Sequence, residues 1–243
     1  MDSGRADTIE YGETWVYEGI IGAIPGLDLG PRRALALQFV VFEAAILLLA
    51  WYYGYWGAAV AGTVAVVVAT IGSAELLRIA EYARSADVPK AYRRLLFGSN
   101  VEVVLAVFSF IALLTHLFVL DPRHSTTPLL ESLLGSEPPA PAVFLTLLVL
   151  WDVCYRIGAG WWASVASLWR TLRYPVDSET RRRLRRADLE TLGFAVVQLA
   201  FVPFLLSQPV LLVAVVGHVV AVTLVIGLSV TISARRKEVS ASL

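Results

Sequence analysis

One cysteine, one methionine, two lysines and three histidines in 243 residues remove several kinds of chemistry at once. A lone Cys154 can form neither an internal disulfide nor a site built from several thiolates. Lys90 and Lys237 both flank apolar runs, so no lysine is placed for an intramembrane Schiff base. His116, His124 and His218 are too few for two haems with paired axial histidines. No His-Glu-x-x-His zinc pattern and no phosphate-cradling glycine loop is present. The reading is therefore of a chain with no cofactor, no metal and no assigned catalytic residue. Charge is also scarce: 16% of residues against about 25% in ordinary soluble domains, with 57% hydrophobic and a mean hydropathy of +0.68.

What fills the chain instead is long apolar runs. A span needs roughly 20 residues to cross about 30 Å of hydrocarbon at 1.5 Å per residue. Six segments reach that length: 34–53, 56–80, 101–120, 143–169, 191–207 and 209–233. The predicted fold class is all-α, a polytopic membrane bundle of six helices arranged as three hairpins. Glu13–Ile24 is apolar on one side but carries Glu13 and Glu18, which predicts a short interfacial helix before the first span. The chain divides into an N-terminal segment (1–33), the membrane domain (34–233) and a tail (234–243). Met1–Asp7 is polar and lacks the basic-then-apolar pattern of a cleaved signal peptide.

Basic residues set the orientation. With six spans, 18 of the 20 lysines and arginines fall on one side: the N-terminal segment, the second and fourth loops and the tail. Excess Lys and Arg marks the cytoplasmic side, which predicts a cell-membrane protein with both termini in the cytoplasm. Fusing the last two spans into one bent helix across Ser207–Gln208–Pro209 would put the basic tail outside, so a reversal is expected there. Trp51, Tyr52, Tyr53, Tyr55 and Trp56 mark the opposite interface, where amphipathic rings settle among headgroups. Arg181, Arg182, Arg183, Arg185 and Arg186 form a topogenic loop or a patch for anionic lipid headgroups. That loop contains no aromatic between its arginines, so no nucleic acid is expected as a partner. Asn100 and Asp188 each stand where a helix N-cap belongs, two residues before Glu102 and Glu190.

Ionisable groups far from either interface are the functional lead, because a charge at mid-bilayer costs at least ~2.5–3.5 kcal/mol on insertion scales. Glu75, Arg78, Glu81 and Glu102 lie near helix ends, where side chains can reach water; His116 and His124 lie near the other side. Glu43, Asp152, Arg156, His218 and Gln198 lie deeper. Asp152 and Arg156 are four residues apart and can pair on one helix face. Ala159, Gly160, Ala163 and Ser167 share that stripe, while Leu150, Cys154, Ile157, Trp161, Val165 and Leu168 share the opposite one, read as facing lipid. With Glu43 at matching depth, two carboxylates would face one guanidinium. That grouping suits a proton or cation path; a pair that only fixes helix register suits a structural role. His218 and Gln198 are read as packing or interhelical hydrogen-bonding residues.

Gly227-Leu228-Ser229 fits the Gly-x-Ser of intramembrane serine proteases, but His218 on the same helix lies about 16 Å along the axis, too far to act as that serine's base. An interfacial helix, six spans, both ends inside and a loop after the second span make the layout similar, in topology alone, to the membrane half of exporter-type ATP-driven transporters. Two functions follow as expectations: a membrane transport or channel component using Glu43, Asp152 and Arg156, or a non-catalytic membrane subunit or scaffold. The expected partners are membrane lipids and another membrane protein, a cytosolic ATPase or further copies of the chain.

Overall fold

Proline and glycine punctuate the apolar runs. In the computed structural model, which describes residues 14, 15 and 30–241 and side chains as far as 235, α1 (Pro31–Tyr53) begins on a proline whose fixed φ suits a first helical position. It ends at Gly54, whose φ of 77° is left-handed and open to glycine at little cost. Then come α2 (Trp56–Ser85), the short amphipathic α3 (Lys90–Phe97) and α4 (Val101–Thr115). A π-helical turn (His116–Leu120) leads from α4 into α5 (Asp121–His124). A loop carries α6 (Leu129–Leu134), and α7 (Ala140–Arg173) and α8 (Ser178–Val197) follow. A 3-10 turn (Gln198–Phe201) and α9 (Val202–Leu205) complete the fifth span, and α10 (Pro209–Ala241) is the sixth. The described residues are helical throughout their ordered elements, without a strand, and six helices are long and apolar enough to cross a membrane. The break before Pro209 falls where the sequence placed it. The interfacial helix expected over Glu13–Ile24 lies outside the described residues apart from Thr14 and Trp15.

The central element is α7. No residue on it from Val149 to Thr171 is exposed, whereas α1, α4 and α10 present Val40, Leu48, Phe108, Ile111, Val213 and Leu224 outward. The expectation that one stripe of α7 faces lipid is therefore corrected: Cys154 is buried and Ile157, Trp161, Val165 and Leu168 are half-buried. Trp161 meets the His218 ring on α10 at 6.1 Å, and Trp151 meets Phe110 on α4 at 5.4 Å. Over that stretch the bulky stripe fills space between neighbours, and the large apolar residues that α7 exposes are confined to its ends, at Phe144, Leu148 and Leu172.

Small residues decide how closely the neighbours approach. A Cβ at Gly158 would stand 2.9 Å from the Ala106 amide nitrogen and 3.0 Å from the Glu102 carbonyl oxygen on α4. Both are backbone, so no rotamer change relieves the clash, and close approach of this kind is how membrane helices gain packing energy. Gly158→Val is expected to destabilise the bundle by about 1–3 kcal/mol through overpacking. Gly217→Val on α10, where a Cβ meets nothing within 4 Å, should stay within about 0.5 kcal/mol. Unfolding of both variants in mixed micelles, followed by circular dichroism, measures the difference.

Two local expectations fail. Asn100 occupies the position before α4 but sits in the left-handed region at φ 54° and makes no side-chain cap bond. Asp188 is not a cap at all, because α8 starts ten residues earlier, at Ser178, with Asp177 accepting from the Glu179 and Thr180 amides at 2.7 and 3.0 Å. Bonding to Thr180, and then to Glu179, holds the Asp177 carboxyl below the usual carboxylate range. The basic run is thereby corrected from a loop to the first turns of a helix. Arg183 bonds Glu179 and the Ser85 carbonyl, and Arg185 and Arg186 are exposed.

Candidate functional site

Arg156 is wholly buried, and its Nη2 lies 2.6 Å from Asp152 Oδ1. The second carboxylate oxygen of Asp152 accepts from Gln38 Nε2 on α1 at 3.1 Å. Glu43 does not join them by a hydrogen bond. It accepts from Thr63 Oγ1 on α2 at 2.8 Å, and its other oxygen is buried without a hydrogen-bond partner. The cause is helical phase: five residues separate Gln38 from Glu43, about 140° around α1, so one side chain turns to α7 and the other to α2.

Towards the Ser85 end of α2, a second set of groups follows. Gly72 leaves room that the Phe194 ring of α8 occupies, and a Cβ there would also meet Arg156 Cδ at 3.0 Å. The same ring would lie 3.3 Å from a Cβ at Gly160 on α7. Phe194, only 2% exposed, is thus wedged between α2 and α7 beside the stem of Arg156. One turn further along α2 is Glu75, whose Oε1 approaches Gly193 and whose Oε2 is buried without a hydrogen-bond partner. One more turn on, Arg78 pairs with Glu190 at 2.8 Å, and the Arg78 side chain is 49% exposed. The order along α2 and α8 is accordingly an exposed ion pair, a buried acid, an aromatic ring and a sealed guanidinium.

The most fully bonded cluster was invisible as a cluster in the sequence. Arg170 on α7 pairs with Asp188 on α8 at 3.0 Å and donates to Tyr92 Oη on α3 at 3.2 Å and to Ser167 Oγ at 3.1 Å. Ser167 donates to Asp188 at 2.6 Å. Ser229 on α10 lies 3.1 Å from the Ser167 hydroxyl and 2.8 Å from the Thr171 hydroxyl. Ser167, Arg170 and Thr171 follow the three- and four-residue spacing of one helix face, and that spacing was the available signal. Asp188 lies beyond the apolar boundary of the fifth span and Arg170 just past that of the fourth, so hydropathy alone places neither inside the bundle.

Three further groups depart from expectation. Glu102 does not reach water: it is fully buried, both carboxylate oxygens lack a hydrogen-bond partner, and the close α4–α7 approach at Gly158 covers it. His116, in the π-helical turn, is buried with neither ring nitrogen bonded. Gln198 is 1% exposed and makes no side-chain hydrogen bond, contrary to its expected interhelical role. His218 packs against Trp161, as a packing residue would. Among the described residues no three of His, Cys, Asp and Glu are grouped to hold a metal ion.

The sequence model of a family of unknown function (DUF7530) matches residues 10–229, taking in the first five spans and the sixth as far as Ser229. No curated protein and no solved structure matches the chain.

Proposed function

We propose, for a chain that belongs to the DUF7530 family of unknown function, that it is a membrane transport component passing protons from Glu75 to the carboxylate of Asp152, held by Arg156. The Asp152 side chain is 15% exposed and releases them towards the other side. The observation that carries this reading is the buried, unpartnered Oε2 of Glu75, set between the exposed Arg78–Glu190 pair and the sealed Arg156. Arg78 and Glu190 act on the Glu75 charge from one turn away, but Oε2 itself has no hydrogen bond, a costly state for a buried polar atom. Buried ionisable groups in membrane helices mark ion and proton paths. Phe194 is the gate on this reading: its ring fills the space between Gly72 and Gly160 beside the Arg156 stem, with Glu75 lying against the neighbouring Gly193. On this reading the protein lies in the cell membrane with both termini in the cytoplasm, supported by the one-sided basic residues. Arg78 and Glu190 then face the cytoplasm.

The test is proton flux into vesicles reconstituted with the purified protein and loaded with a pH-sensitive dye. Wild type is expected to dissipate an imposed pH gradient faster than empty vesicles. Glu75→Gln should return the rate to that of empty vesicles, and Phe194→Ala should raise it above wild type. Equal rates for wild type and empty vesicles would sink the proposal. They would favour the second reading, a non-catalytic membrane subunit, which draws support from the closed bonding of Arg170, Asp188 and Ser229.

A further inference from the structure

Small residues on α2 leave space that their neighbours do not fill. Between α1, α2, α6 and α7 lies a cavity of about 150 Å³, walled by Ile46, Gly62, Ala65 and Val149 and covered by Leu133 and Leu134 of α6. Its only side chains bearing oxygen are Tyr55 and Thr146, and the Thr146 hydroxyl is already bonded to the Ala142 carbonyl. A volume of this size holds roughly five groups of about 30 Å³, and aliphatic cavities so large stay dry and accept apolar guests.

We infer that this cavity is a binding site for the terminal carbons of a membrane phospholipid's acyl chain. Depth selects that occupant. The walls on α1, α2 and α7 belong to spans, so what surrounds the cavity is hydrocarbon rather than water. The apolar lining offers nothing to a headgroup, whose charge would be left unsatisfied there. The inner end also fits a chain terminus, because Ile46 and Val149 each lie three residues from a polar group, Glu43 and Asp152, where the apolar wall stops. Leu134, 6% exposed, closes the end nearest the headgroup layer, beside Tyr55. The site stands on the cavity alone and does not depend on proton movement.

The test uses the full chain in vesicles of a phospholipid carrying a photoactivatable diazirine at the end of one acyl chain. After illumination, labelled positions are read by mass spectrometry of peptides. Labelling is expected at Gly62, Ala65 and Val149 as well as at the exposed Val40 and Phe108. Ala61→Phe, which fills the cavity from α2, should cut labelling of the lining about tenfold, because the added ring takes the guest's place, and leave Val40 and Phe108 unchanged. If that variant is not monodisperse and helical, Leu133→Trp fills the same space from the lid and serves for the comparison. Labelling confined to Val40 and Phe108 in wild type overturns the inference, as does lining labelling that survives filling in a folded variant.

Discussion

Replacing Asp188 with leucine is expected to destabilise the bundle by about 3–5 kcal/mol, the loss typical when one member of a buried ion pair is removed and the other charge remains. Arg170 and Asp188 expose only 5% and 7% of their side chains, so water cannot take over the solvation of the guanidinium. Tyr92 and Ser167 would still accept from Arg170, but neither carries a compensating charge. The bonds within the cluster are individually worth far less. Hydrogen bonds between membrane helices average about 0.6 kcal/mol in double-mutant cycles, so Ser229→Ala should lose about that much despite touching both Ser167 and Thr171. Detergent-titrated unfolding, read by circular dichroism, separates the two magnitudes. A similar small loss for both variants would show that Arg170 finds other solvation and that the pair does not anchor α8 to α7.

Arg156→Leu is the second large effect. Arg156 is completely enclosed, and its removal leaves the Asp152 carboxylate with Gln38 alone. A loss of about 3 kcal/mol is expected, near the insertion cost of a lone Asp at mid-bilayer. The double variant Asp152→Leu, Arg156→Leu deletes both charges and should recover most of that loss, as buried pairs replaced by apolar residues of similar volume often do. The recovery, measured in the same titration, isolates the charge imbalance. If the double variant is less stable than the single one, the side chains matter by filling the space beside Gly72 and Phe194 rather than by their charge.

The architecture was largely legible because hydropathy at membrane length is a strong signal: all six spans, the reversal before Pro209 and the Asp152–Arg156 pair are written in local spacing. Helix phase around the bundle is not local. The sequence gives the depth of Glu43 but not its rotation relative to Gln38, so the residue that meets Asp152 had to be seen. Depth also misled at Glu75 and Glu102, both buried, since nearness to a helix end implies water only where no neighbour covers the side chain. The Arg170 cluster was missed for a related reason. Apolar content marks the fifth span only from Thr191, whereas Asp177, Glu179 and Thr180 start α8 well before it and carry Asp188 inside.

Chain order gives the Arg170 cluster a consequence for biosynthesis. Tyr92, Arg170 and Asp188 belong to elements made before α10, the sixth span, which supplies the hydroxyl of Ser229. Until that span enters, the Ser167 and Thr171 hydroxyls lack their last bonding partner and a flank of the central helix stays open to lipid. Docking of α10 is therefore the step that closes the cluster, and a chain that has not yet inserted it leaves that flank uncovered.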